Sequence, residues 1–288
     1  MNERTKGWMN GFIGVLIFSG SLPATRLAVM DFDPFFLTVS RAAISGILAG
    51  ILLLIFRQQK PVKSDVVPLL LIALCVVVGF PLLTASALQY VTSAHAIIYL
   101  GLLPLSTAIF GVLRGSERPQ LVFWIFSSLG SCFVVGFAVF NEATSSPIGD
   151  SLMFVSIILC GYGYAEGARL TQRLGGWQVI SWTLVLSLPA SIFLTLYTMP
   201  ESWSNISISA IVSLAYVSLF SMFLGFVFWY RGLAQGGIAA VGQLQLLQPF
   251  FGLLLSALIL HESIGWPIFV LNTGVALCVA FARRFAAN

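Results

Sequence analysis

The chain has 288 residues, of which 58% are hydrophobic and only 8% charged, and its mean hydropathy is +0.98. Soluble domains carry about 25% charged residues, so this composition excludes a water-facing surface of ordinary kind. The net charge of +4 sits in short segments between long apolar runs, a pattern that points to a lipid bilayer and not to nucleic acid.

Ten apolar runs are predicted as membrane-spanning helices, each about long enough for a ~30 Å hydrocarbon core. In chain order they cover residues 9–29, 35–56, 66–88, 93–113, 119–140, 149–170, 177–198, 208–230, 238–260 and 264–282. Arg4 and Lys6 precede the first run as in a signal peptide. That run is too long, and no small-residue cleavage site closes it, so it is read as retained. Only QYVTS (89–93) divides spans 3 and 4, and only HESIG (261–265) divides spans 9 and 10. Trp8, Trp177, Trp203 and Trp266 fall near predicted ends and read as interfacial anchors. Cys75, Cys132, Cys160 and Cys278 all lie inside spans as small apolar fillers, with no disulfide framework or zinc set. The fold class expected is an all-α integral membrane protein.

With the N-terminus placed in the cytoplasm, the inward side collects Arg4, Lys6, Arg57, Lys60, Lys63, Arg114, Arg118, Arg169, Arg173, Arg231, Arg283 and Arg284, twelve of the fourteen basic residues. The outward side collects Asp31, Asp33, Glu142, Asp150, Glu201 and Glu262, with Arg26 close to it. Basic residues gather on the cytoplasmic face, and a miscount by one span would scramble every later loop. A multi-pass protein of the cytoplasmic membrane with both termini inside is expected.

The two halves of the chain echo each other. A shift of 145 positions matches Leu88 with Leu233, Ala94 with Ala239, Pro104 with Pro249 and Glu117 with Glu262. A shift of 143 pairs Gly20 with Gly163 and Arg26-Leu27 with Arg169-Leu170. Repeats over residues 1–143 and 144–288 are therefore expected, each with five spans. Five is odd, so the second repeat enters the membrane inverted. Inverted repeats suit alternating access, because each half can adopt the other's conformation and open a central site to the opposite side.

On FSGSLPATRLAVMDFDPFFLTVSRAAISG (18–46) and on the matched segments ending PLSTAIFGVLRGSE and PFFGLLLSALILHE, the chain resembles a ten-helix member of the drug/metabolite transporter superfamily, in its EamA branch. The resemblance spans nearly the whole chain. It implies a carrier of small metabolites or drugs, often outward, and says little of the substrate. CGYGYAEGARLTQRLGGW (160–177) departs from the generic pattern at Glu166 and at the paired tyrosines.

Candidate residues follow from intramembrane chemistry. Pro104 and Pro249 fall near the midplane of spans 4 and 9, where each removes a backbone hydrogen bond. They read either as hinges beside a cavity or as devices of helix curvature. The carbonyls set free would be those of Leu100 and Gln245, tolerable only against protein or water. Within GQLQLLQPF (242–250), Gln245 and Gln248 share a helix face while Gln243 points about 160° away from Gln245 at 100° per residue. Gln245 and Gln248 either line a hydrated cavity or bond between helices. His95 and Tyr99 share a face of span 4 and are candidates to meet substrate.

Intramembrane charges are the sharper signals. Arg41 lies about two turns into span 2, either snorkelling or pairing with Asp31 or Asp33, or offering a fixed positive charge to an anionic group. Its neighbours Ala42, Gly46 and Gly50 form A-x-x-x-G-x-x-x-G, a close-packing face. Glu166 is either ion-paired with Arg169 one turn away or a protonatable carboxylate coupling the cycle to protons. Its depth differs from that of Arg41 by ~14 Å, too far for the two to pair. Tyr162 and Tyr164, with Trp182, supply aromatic candidates, although i, i+2 tyrosines cannot share a face. Such a pocket suits an amphipathic molecule such as an amino acid or a heterocyclic metabolite.

The function expected is secondary transport of a small organic metabolite or drug-like molecule by alternating access, with export favoured. Its partners would be the substrate, the bilayer and a coupled proton or other ion. No cofactor, metal or nucleic acid is expected, and nothing in the sequence sets an oligomeric state. G-x-x-x-x-G-K-[ST], H-E-x-x-H and G-x-S-x-G are all absent, so an ATPase or an intramembrane enzyme is not expected. A membrane receptor or assembly subunit is the alternative, and ligand binding without flux would mark it.

Overall fold

The computed structural model describes residues 2–91, 96, 99–115, 117–141, 146–260 and 266–286. His95 and Glu262 lie outside the described residues, as does the side chain of Trp266. Among the described residues ten helical stretches follow in the predicted order. They are α1 (Glu3–Ala28), α2 (Pro34–Ile55), α3 (Lys63–Ala87), α4 (Leu103–Gly115), α5 (Leu121–Asn141), α6 (Pro147–Leu174), α7 (Gly176–Tyr197), α8 (Ile208–Gly236), α9 (residues 238–260) and α10 (Trp266–Phe285).

Helix starts are written locally. Asp33 accepts from the N–H groups of Phe35 and Phe36, with Pro34 at the first helical position, where a missing N–H costs nothing. Ser146 before Pro147 and Ser207 before Ile208 cap α6 and α8 in the same way. Span 4, expected over 93–113, is broken by a turn at residues 101–102 so that α4 starts at Leu103, and two other differences are polar extensions. α1 begins six residues earlier than predicted, and α6 continues past its predicted end through Arg173. Hydropathy marks only the lipid-crossing stretch, whereas backbone bonding carries these helices on into polar sequence.

The packing of the ten helices has a two-fold pattern. α1 lies on α8 and α6 on α3, α4 lies on α6 and α9 on α1, while α2 meets α7 and α5 meets α10. Exchanging the halves maps the first four pairings onto one another and returns the last two unchanged. The protein is thus an all-α membrane fold of two inverted five-helix repeats. The α1–α8 seam is closed by glycine: a Cβ on Gly7 would come 2.5 Å from the Gly236 nitrogen, and one on Gly232 equally close to that of Gly11. On α2, Gly46 faces the Leu184 carbonyl of α7, and Ala42 is buried, which is the close-packing face read from the sequence.

Matched irregularities mark the same place in both halves. α3 widens to π-helical bonding over Ala73–Gly79 and α8 over Val217–Gly225. Such bulges recur at functional sites. Here each ends on a glycine followed by phenylalanine, Phe80 in one half and Phe226 in the other.

A candidate substrate cavity between the repeats

Where the two repeats meet, the helices leave a cavity between them, partly open to its surroundings. It reaches from the middle of the bundle toward the face opposite the chain termini. Repeat-related residues line it in pairs: Phe80 with Phe226, Leu103 with Gln248, and Ser21 with Tyr164, at shifts of 146, 145 and 143 positions. The inner end of the cavity therefore meets the pseudo-two-fold axis. Its chemistry is not symmetric. Positions 184–187, the counterparts of Arg41 at those shifts, read LVLS and carry no charge.

Local breaks in the helices build the walls. α1 is interrupted at Gly20, where the Tyr216 hydroxyl donates to the Ile17 carbonyl at 2.6 Å and fills the space a side chain at position 20 would need. In α9 a 3₁₀ segment, Gln243–Leu247, runs up to Pro249, and the Gln248 N–H donates to the Gln245 carbonyl. The carbonyl expected to be orphaned by Pro249 is thus served by the tighter turn. Ahead of Pro104 the chain turns at residues 101–102, where Leu102 donates to the Tyr99 carbonyl at 2.9 Å. Both prolines are buried.

Arg41, Gln248 and Tyr164 are the sequence-predicted residues that meet in this cavity. Arg41 is only 6% exposed. Its Nη2 donates to Ser221 Oγ at 3.4 Å, near the weak limit for a hydrogen bond, and its Nε has no partner among the described residues. Ser221 Oγ also accepts from Ser21 Oγ at 2.7 Å. Asp31 is occupied by Ser207 and Asp33 by the start of α2, so neither serves Arg41. Gln248 Nε2 reaches the Phe18 carbonyl at 3.4 Å. Tyr164 stacks with Phe18, centroids 6.4 Å apart, and meets Phe226 edge-on at 5.8 Å. Sequence reasoning missed the hydroxyls of Ser21, Thr25, Thr84 and Ser221, which complete the polar lining.

Other candidates stand elsewhere. Gln245 is 1% exposed with both amide atoms unpartnered among the described residues, but it does not line the cavity. At the ~2.0 Å rise of a 3₁₀ turn, it sits about 6 Å nearer the terminal face than Gln248. Tyr99 lies beside Asp150, Trp182 packs against the main core, and Tyr162 meets the Phe110 ring at 5.5 Å with the Arg114 guanidinium over its own ring at 5.8 Å.

Glu166 belongs to the terminal end of the bundle. It is fully buried. Arg169 Nη2 donates to Oε1 at 2.5 Å, as its spacing predicts, and Arg114 Nε of α4 donates to Oε2 at 2.9 Å. Nearby, Arg173 of α6 pairs with the buried Asp65 of α3. Glu117, in the α4–α5 loop, accepts from the N–H groups of Ile238 and Ala239 at 2.5 and 2.7 Å, capping α9 where Gly237 has φ of 94°. Burial raises the Glu117 carboxyl above the ordinary glutamate value, and these two bonds oppose the shift. All three carboxylates tie one repeat to the other at this end.

Comparison with known proteins agrees with this architecture. The EamA-like transporter family matches residues 5–139 and again 147–283. A Bacillus subtilis strain 168 protein named "Uncharacterized transporter YdeK" is 69% identical over 286 residues, covering 99% of this chain and all of the relative. A second protein of that strain, "Uncharacterized transporter YyaM", is 25% identical over 93% of this chain and 89% of its own. An "Uncharacterized transporter" of Archaeoglobus fulgidus is 23% identical over 86% of this chain and 87% of its own. A solved crystal structure superposes with a TM-score of 0.79, covering 98% of both chains at 18% identity, which establishes likeness of fold. The chain, a multi-pass membrane protein whose two halves each match the family, belongs to the EamA-like transporter family.

Proposed function

We propose that this protein is a secondary transporter that moves a small organic metabolite or drug-like molecule, amino acids included in that range, across the cytoplasmic membrane by alternating access, with export the favoured direction. The cavity, whose inner end meets the pseudo-two-fold axis, supports this reading, because a site shared by inverted repeats can be presented to either side by exchanging their conformations. The repeats divide between residues 143 and 144. Both termini lie in the cytoplasm, following the gathering of Lys and Arg on that face. In that orientation the cavity occupies the outer half of the bundle, while Glu166, Asp65 and Glu117 latch the inner ends of the repeats. Gln248, Arg41 and Tyr164 contact substrate, and Pro104 and Pro249 mark the walls that flex. Carrier action accounts for these features without catalysis.

The test is counterflow in proteoliposomes with labelled candidate solutes, amino acids, nucleosides, vitamins and drugs among them. Saturable exchange is expected. Leakage without saturation or counterflow across the panel would reject the carrier.

A further inference from the structure

The cavity's charge is the feature that the carrier reading leaves unused. Arg41 is more than nine-tenths buried; among the described residues its Nε lacks a partner and its side chain makes one hydrogen bond, the long one to Ser221. Among the described residues lining the cavity none is acidic. The described carboxylates nearest in sequence are spent on Ser207 and on the start of α2. A buried charge without a counter-ion is costly unless something supplies one.

We infer that the cavity takes an amphipathic organic monoacid: its carboxylate meets Arg41 and Ser221, and its apolar body lies among Phe18, Phe80, Tyr164 and Phe226. This rests on the cavity being the substrate site. Four observations set the class. One guanidinium balances one negative charge, so a monoanion leaves the cavity neutral, a cation would double its charge, and a dianion would reverse it. A planar guanidinium fork matches the two oxygens of a carboxylate. The Ser221 oxygen already accepts from Arg41 and Ser21, which leaves its own proton to be directed at an acceptor. On the facing wall the rings of Phe18, Tyr164 and Phe226 offer apolar faces. An amino acid brings an ammonium for which the described lining holds no carboxylate, so the acid without the amine is preferred over its amino-acid counterpart.

Thermal stabilisation of the purified protein in detergent tests this, since a ligand of the native state raises Tm by mass action. The probes are hydrocinnamate and indoleacetate as acids, phenylalanine as the zwitterion, hydrocinnamamide as the neutral isostere and phenethylamine as the cation, each at millimolar concentration. At least one acid is expected to raise Tm, more than phenylalanine does, while the amide and amine do not. Arg41→Gln should weaken acid binding by about 10- to 100-fold, and Arg41→Lys, which keeps the charge but loses the fork, by less. Without ligand, Arg41→Gln should melt no lower than wild type. Equal shifts from acid and amide, a shift from the amine, phenylalanine equal to the acids, no shift from either acid, an acid response untouched by Arg41→Gln, or a marked loss of unliganded Tm in that variant would each overturn the assignment. Counterflow of other solutes would in those cases leave the carrier reading standing. Acid binding that depends on Arg41, with no counterflow of any solute, would instead reject the carrier and keep the acid site.

Discussion

Glu166 and Arg41 are both charges buried within membrane-spanning helices, and the protein treats them oppositely. Glu166 is held by two guanidinium groups, one from its own helix and one from α4. Arg41 has one weak hydroxyl contact and an unbonded Nε. A buried ion with its partners in place is architecture, and removing one partner is expensive. A buried ion without a partner gains little for the fold by itself. The contrast separates the end of the molecule that fastens the repeats from the middle, where they leave room.

The largest test of that contrast is Glu166→Ala. It leaves Arg114 and Arg169 without their carboxylate and should lower stability by about 3 kcal/mol, at the low end for a broken buried pair because both arginines keep contact with solvent. Unfolding in detergent checks it, and an unchanged midpoint would make the clamp idle. Glu166→Gln should leave the pH profile of counterflow unchanged, and an altered profile would assign the residue to proton coupling. Next in size, Gln248→Leu should weaken transport about 10-fold, the loss of roughly 1.4 kcal/mol of hydrogen bonding. Gln245→Leu, off the cavity, should change it less than about 2-fold; the reverse order would move the site along α9.

Glu117→Gln should cost about 1 kcal/mol, the worth of a helix cap, and should also change a pH slope. The folded-state value of this carboxyl is raised above its ordinary 4.5, so the native state keeps a proton that the unfolded chain has released. Stability from this group is therefore full below that value and falls as pH rises through the raised one. The glutamine variant should flatten that fall in a melting series, and a slope equal to wild type would show that other groups set it.

Much of the fold was legible because lipid leaves few choices. Ten apolar runs of bilayer length and the alternation of basic loops follow from chemistry that each residue carries alone. The face on α2 was legible too, since Gly46 announces close approach by lacking a side chain. The site was harder. Ser21, Thr25, Thr84 and Ser221 sit in apolar runs, and helical hydroxyls commonly bond their own backbone, so nothing distinguishes a cavity serine beforehand. Comparing Gly79-Phe80 with Gly225-Phe226 at a shift of 146 would have marked both walls. The Arg114–Glu166 pair joins residues 52 positions apart, and local spacing showed only the Arg169 half of it. Gln245 does not line the cavity beside Gln248, because it lies in a 3₁₀ turn where the ~100° per residue spacing of an α-helix does not hold.

The five-residue spacing in α3 and α8 has a mechanical corollary. Each helix carries one residue of slack relative to a regular α-helix of the same span. Drawing that slack out would turn everything beyond it by about 100° and shift it by about 1.5 Å. Phe80 and Phe226 are the first side chains past the slack in each helix, so two aromatic walls would swing together with the helical segments that follow them.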